Sequence, residues 1–347
     1  MSESKLKQNI INDIILKEMS NFNEENQIDL SKVKIISECA ERQLFSQQDV
    51  SIVLTIDRED GLSIEDGDQP IEVIAVFDGH GPNLVIDIIQ ELNLPHHFEK
   101  VKPVESIQQA IDEQIAIKQK KIAEIPYISG TNYKKYVQSK IKDTDILCSG
   151  STCAFAKIYR NTITKQVKIV AEWLGDSQIV AIINGEIVFI SEIHHSSSES
   201  EIKRLRDNNV QFILEKSNQG FKVVSSDRIV SDPGKYIVFK NRYQLASTRS
   251  LGHGRLLGTE TQKHVIECTT NDDVKILVFS DGVGDMLNIE TDKQILIDLS
   301  AKELVEFAER RWKQEWNYGR IKTLFPANGY DDCCCAMWWQ KKVDNSS

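Results

Sequence analysis

Three aspartates in this chain share one setting. Asp78 follows the apolar run IAVF, Asp281 follows ILVFS, and Asp331, with Asp332 beside it, stands just before the apolar stretch CCCAMWW. Carboxylates at strand ends project from the end of a sheet, where several can converge. Crowded together without a counter-ion they would repel and partly protonate, whereas hard divalent cations such as Mg²⁺ or Mn²⁺ reward that clustering of oxygen ligands. The chemistry on offer is that of a hard metal site. Taken singly, an Asp next to a Gly at a strand end is an ordinary turn residue, so the joint context carries the argument. Two other routes to phosphoester cleavage are not offered here: there is no CxxxxxR thiol loop, and the strand-end aspartates make no DxD nucleophile pair, since Asp281 and Asp285 lie four apart.

The motifs around these residues come in a telling order. VFDGHG (76 to 81), GST (150 to 152), GDS (175 to 177), RSLG (249 to 252), FSDGVGD (279 to 285) and YDD (330 to 332) together resemble the type 2C metal-dependent serine/threonine protein phosphatases. The resemblance runs from about residue 36 to 340 with the motifs in family order. It implies an α+β fold, two stacked antiparallel sheets flanked by helices (an αββα sandwich), with a dinuclear Mg²⁺ or Mn²⁺ centre at one end. By the same resemblance Asp78 bridges both metals, the Gly79 carbonyl binds one of them, and Asp281 and Asp331 complete the other. Two cations roughly 3.5 to 4 Å apart can share a water, lower its pKa and hold it in line with phosphorus.

The resemblance assigns further roles. His80 matches the general acid that protonates the departing serine or threonine oxygen. Asp49 matches the carboxylate that orients the attacking water, and Gln48 takes a place often filled by glutamate. Asp176 and Asp285 match carboxylates that support a third, weaker metal, although each also suits a turn cap. Gly150, Ser151 and Thr152 serve tight backbone packing beside the site. Three positions depart from the family pattern. Leu44 stands where an arginine usually clamps substrate phosphate; Arg42, two residues earlier and on the same strand face, is the candidate replacement. His253 replaces the aspartate of an RSLGD-like segment, and HHSSSESE (194 to 201) only loosely matches the corresponding family stretch. These departures bear on affinity and specificity more than on hydrolysis.

The positioning elements are legible in the hydrophobic pattern. VSIVLTI (50 to 56) and IEVIAVF (71 to 77) read as strands. The polar loop between them tempts an EF-hand reading, but Gly61 is at the fifth position from Asp57 where a calcium loop needs the sixth, and Asp68 replaces the closing Glu. Ile107, Ile111 and Ile115 mark a helix from about 104 to 123. CAFAKIY, VKIVAEW, QIVAII and EIVFI form a meander, with Asn184-Gly185 as a hairpin turn. A short helix is expected near 201 to 206, then less regular chain to about 260. KILVFS (275 to 280) reads as a buried strand, Ser300 with Glu303 as a capping box opening a helix through about Trp316, and 333 to 339 as the last strand.

Composition bounds the remainder. With 347 residues, 40% of them hydrophobic, and no Ser/Gly/Pro-rich divide, one elaborated domain is expected. Its expected bounds are 30 to 341, preceded by an amphipathic helical extension within 1 to 25 and followed by a disordered tail, 342 to 347. A net charge of −10 opposes a general nucleic-acid surface. The seven cysteines follow no disulfide or zinc spacing and read as small apolar residues in a reducing compartment. No apolar run approaches membrane-spanning length, and no signal peptide is apparent. The expectation is a cytoplasmic monomer, with a nuclear residence open, acting on phosphorylated proteins and on neither nucleic acid nor membrane. Two other classes fit the same residues: a pseudophosphatase that binds phosphoproteins or a regulatory partner without turnover, and a phosphoesterase for small molecules.

Overall fold

Strand Ile71–His80 shows how the sequence builds the layers. Along it Val73, Ala75 and Phe77 alternate with Ile74 and Val76, and all five are fully buried, so both faces of the strand are covered. The structure, a computed structural model, describes residues 33–44, 46–57, 67–123, 143–216, 220–239 and 243–342. Residues Ile35–Lys341 form one compact unit, and the chain before and after them groups separately. The amphipathic helix expected near the N-terminus and most of the loop weighed for calcium lie outside the described residues.

Two large sheets make the centre. One runs in the order Leu251–Gly252, Gly150–Ser151, Ile71–His80, Cys153–Asn161, Gln166–Leu174, Gln262–Thr269, with Asp49–Ile56 also paired to Ile71–His80. The other runs Val33–Arg42, Cys333–Lys342, Val274–Phe279, Gln178–Ile183, Glu186–Ile190. Between them lies a shared apolar layer in which Ile74, Val76, Ala156 and Ile169 of the first sheet meet Ala181, Ile276, Val278 and Trp338 of the second. The outer face of the first sheet, with Val73 and Phe77, packs on helices Leu84–Glu91, Leu94–Phe98 and Pro103–Ala123. The outer face of the second, with Leu277 and Phe279, packs on Lys293–Asp298 and Ala301–Lys313. This is the expected α+β sandwich, helix on sheet on sheet on helix. A polar stitch crosses the layer: Glu72 Oε2 accepts from Trp338 Nε1 at 2.9 Å and from Arg160 Nε at 3.1 Å.

Cys333 and Cys335 face the helices while Cys334 faces the other sheet, as strand alternation requires, and every described cysteine is a free thiol. Asn184 and Gly185 both take positive φ, 51° and 79°, which matches the expected hairpin turn. The chain between 199 and 245 is more regular than its sequence suggests. Helix Glu199–Asp207 is followed by the three-stranded sheet Ile213–Lys216, Lys235–Phe239, Tyr243–Leu245 and by strands Phe221–Ser225 and Arg228–Ser231, the last pairing in parallel with Trp316–Tyr318.

The helix opened by Ser300 stops earlier than expected, at Lys313, and Trp316 begins a strand instead. Gln314 is extended (φ −80°, ψ 162°), and the turn lets the Trp316 ring enter the core, where its Nε1 donates to the Arg311 carbonyl at 2.9 Å. Burial of the largest side chain outweighs one more helical turn. Ser300 accepts from the Glu303 N–H at 3.3 Å, and Glu303 accepts from the Ser300 N–H at 2.9 Å. Ser300→Ala is therefore expected to lower stability by about 1 kcal/mol in urea denaturation; an unchanged midpoint would show that tertiary packing alone holds this helix end.

Candidate metal centre

Register explains why distant carboxylates meet. Asp49 is the direct cross-strand partner of Asp78. In the second sheet Phe279 lies between Gln178 and Cys335. The segments just beyond those three residues, holding Asp176, Asp281 and Asp331, thus leave the sheet at one end. Asp281 is the common neighbour, acting electrostatically on Asp49, Asp78, Asp176 and Asp331. Asp285, one helical turn beyond Asp281, stands at the exposed rim.

The cluster is one-signed, with Asp49, Asp78 and Asp176 buried and Asp281 and Asp331 half-buried. Asp49 and Asp78 are only 3% and 8% exposed, and among the described residues none of the site aspartates forms a salt bridge with Lys, Arg or His. Burial, then the charges of Asp281 and Asp332, push Asp49 up to about 7. Burial first, and then Asp281 and Asp49, raise Asp78 well above the carboxylate range. Asp176 and Asp331 are raised for the same reasons, burial and then Asp281. Asp49 Oδ2 is buried with no hydrogen-bond partner. Such an orphaned oxygen in an acidic cluster needs a cation or a proton. Among the described residues no three His, Cys, Asp or Glu side chains already converge as a closed ligand group, yet an all-oxygen donor set with an unpaired carboxylate oxygen fits hard divalent cations.

Neighbouring backbone fixes these positions. The Asp78 N–H donates to Thr152 Oγ1 at 3.1 Å, the Thr152 N–H returns a bond to the Asp78 carbonyl at 2.8 Å, and Thr152 Oγ1 lies 2.7 Å from Ser177 Oγ. The GST and GDS motifs therefore clamp the Asp78 strand end. Asp332 Oδ2 accepts from Ser46 Oγ at 2.7 Å and from the Gln48 N–H at 3.1 Å, tying down the segment that carries Asp49. That role was hidden in the sequence; the YDD doublet was its only signal. Gly282 is pressed so closely on the Asp332 carbonyl that a Cβ would run into it, and the Gly282 carbonyl accepts from Trp312 Nε1 at 2.8 Å.

His80 lies beside the cluster at the end of its strand. Burial, then the neighbouring His253, lower its pKa to about 3, against a hydrogen bond to the Asp78 backbone. Gln48 does not face the cluster as an acid would: its Nε2 donates to the Gly81 carbonyl at 2.7 Å and to Asn83 Oδ1 at 2.8 Å. Arg42 is directed elsewhere. Its Nε donates to Glu309 at 3.2 Å, Nη2 to Glu306 at 3.4 Å and Nη1 to the Glu41 carbonyl at 3.1 Å, while Leu44 packs on the apolar layer under the same helix. The segment around Glu201 anchors the RSLG stretch. Glu201 takes two bonds from buried Arg249, at 2.5 and 3.0 Å, and one from Arg204 at 3.1 Å. Burial raises the Glu201 pKa, but Arg249 and Arg204 outweigh it and bring it down to about 2, so a standing ion pair holds that stretch in place.

The protein is thus an αββα sandwich with a cluster of aspartates at one end. The sequence profile of protein phosphatase 2C matches residues 45–322. The chain belongs to the protein phosphatase 2C family. Among solved structures, a C. elegans sex-determining protein is similar at 17% identity over 97% of this chain and 74% of that one, with a TM-score of 0.52. The serine/threonine phosphatase PstP/Ppp of Mycobacterium tuberculosis is 13% identical, covering 84% and 99% of the two chains at a TM-score of 0.41. A serine-threonine phosphatase 2C from Toxoplasma gondii is 12% identical, covering 88% and 100%, at 0.42. No curated protein sequence gives a significant match. Among the described residues no helix is long and apolar enough to cross a membrane.

Proposed function

We propose that this chain hydrolyses phosphoserine and phosphothreonine in proteins, using two divalent cations, Mg²⁺ or Mn²⁺, held by Asp78, the Gly79 carbonyl, Asp281 and Asp331, with Asp176 and Asp285 beside a third, weaker site. The observation that carries this reading is the one-signed cluster of aspartates around Asp281, with an unpartnered, buried oxygen on Asp49. Bound cations would supply Lewis acidity and charge neutralisation for attack of water on phosphorus. The protein's own part is orientation and proton transfer. Asp49, buried and raised toward neutrality, is suited to align the attacking water and take its proton. His80 is the candidate for protonating the leaving oxygen as the phosphorus–oxygen bond to the serine or threonine breaks; because burial keeps its ring neutral, it would have to take up that proton first.

A second reading, binding of phosphoproteins without turnover, is favoured by one observation: the Arg42 fork is committed to Glu306 and Glu309, so no guanidinium from that strand faces the cluster. Phosphate release from a phosphothreonine peptide, with and without millimolar-scale Mn²⁺, separates the two. Metal-dependent release that is lost in Asp281→Asn is expected. Folded, metal-binding protein that releases none from several peptides would leave the binding module standing, and release from metabolite phosphates alone would point to a small-molecule phosphoesterase.

A further inference from the structure

Trp312 touches the neighbours of two site aspartates at once. Its indole, 5% exposed, projects from helix Ala301–Lys313. Its Nε1 donates to the Gly282 carbonyl at 2.8 Å, one residue past Asp281. Its ring lies 6.4 Å from that of Tyr330, one residue before Asp331, with 47° between the planes. The two aspartate segments press on each other in the same place: a Cβ on Gly282 would stand 1.9 Å from the Asp332 carbonyl oxygen and 3.3 Å from Asp331 Cβ. Phe325 meets the same indole edge to face, with centroids 5.1 Å apart, so the ring is held from a third side of the chain.

The buried Gly282 carbonyl depends on that indole. In a continuing helix it would accept from the amide four residues on. The Met286 N–H bonds the Val283 carbonyl at 3.2 Å instead, and no backbone N–H among the described residues takes its place. The thiol of Cys333, a weak donor, also reaches the oxygen, at 3.3 Å. A buried carbonyl left without a good donor costs more than the bond itself was worth. Without the indole this peptide would gain by rotating toward water. Asp281 acts electrostatically on Asp331, and repulsion between like charges would favour the same movement for as long as no cation is bound.

We propose that Trp312 is a positioning residue for the metal centre, holding the Asp281 turn against the Asp331 segment so that the two carboxylates stay together before a cation binds. The inference rests on the reading of Asp281 and Asp331 as ligands, and not on turnover. Trp312→Phe keeps an aromatic ring against Phe325 and Tyr330 and removes the donor. Isothermal titration calorimetry of the full chain with Mn²⁺ should show about 10-fold weaker binding in Trp312→Phe than in wild type, the scale expected when a carbonyl is free to turn to water only in the metal-free protein. Mn²⁺ should accordingly raise the melting temperature of the variant by less than that of wild type. Trp316→Phe controls for plain loss of packing. It also deletes a buried indole bond to a carbonyl, that of Arg311 at 2.9 Å, and Trp316 also borders Phe325, at 6.3 Å, but its bond goes to the helix and not to an aspartate segment. That variant should melt earlier and bind Mn²⁺ as wild type does. Tyr330→Leu, at a half-buried position, removes the second contact and should weaken Mn²⁺ binding in the same direction; it decides the matter if Trp312→Phe does not fold, and unchanged binding there would then sink the inference. Equal Mn²⁺ affinity in wild type and Trp312→Phe, or an equal loss in Trp316→Phe, would overturn it. A wild type that takes up no Mn²⁺ would overturn it together with the metal centre, whereas one that binds Mn²⁺ with the expected pattern and releases no phosphate would remove the phosphatase reading alone.

Discussion

Asp78→Asn should lower metal-dependent phosphate release by at least about 10²–10³-fold, the scale on which one preorganised electrostatic group contributes to a transition state. The same substitution should make the metal-free protein more resistant to heat. Both effects follow from one feature. Asp78 is buried among Asp49, Asp281 and Asp331, where a fourth negative charge is useful only if cations are present and repulsive if they are not. Asparagine keeps the shape and removes the charge, while the bonds between the Asp78 backbone and Thr152 remain. Melting in EDTA next to a steady-state assay in Mn²⁺ reads both sides. Near-normal turnover in the variant would rule out Asp78 as a ligand, and a drop in the metal-free melting temperature would show that its charge has a partner in the fold.

Asp292→Ala should cost about 3–5 kcal/mol of stability, because it breaks a buried ion pair and leaves the other member uncompensated. Arg311 and Asp292 are 3% and 4% exposed. They meet through two bonds, Nη1 to Oδ2 at 2.6 Å and Nη2 to Oδ1 at 3.1 Å. Arg311 Nη1 also donates to the Met286 carbonyl at 2.6 Å, and its guanidinium lies 4.4 Å from the Phe307 ring centroid. The pair locks the long C-terminal helix onto the turn after Asp285, so its loss should loosen the rim of the acidic end as well. Urea denaturation of Asp292→Ala, Arg311→Met and the double variant forms a cycle. If the single acid variant costs less than about 1 kcal/mol, the guanidinium is finding solvent and the site is not as closed as it looks.

Neither partner of that pair could be chosen from the sequence. Asp292 and Arg311 are two among many charged residues, and the capping box at Ser300 between them gives no hint that the flanking charges meet. The site divides in the same way. Asp78, Asp281 and Asp331 declare themselves because each follows or precedes an apolar strand, a local pattern with a period of two. Asp332 carries the same local signature as Asp331 but turns to Ser46 and Gln48, and only the packed loop decides which of the two does so. Arg42 illustrates the reverse case. Strand parity puts it on the same face as Leu44, but parity does not say what lies above that face, and helix Ala301–Lys313 supplies Glu306 and Glu309 there.

By itself, then, the sequence determined the layered fold, the strand ends and the acidic chemistry, because these depend on residue type and spacing over a few neighbours. The ordered motifs added the family. What the tertiary structure alone decided is partnership: Asp49 opposite Asp78, Glu201 beneath Arg249, and His253 against His80. These contacts join residues from 29 to 173 positions apart. They depend on the order in which strands enter two sheets and on which side chains the packing leaves pointing at one another. Local propensity carries no record of either, since a strand has the same pattern whichever neighbour it pairs with.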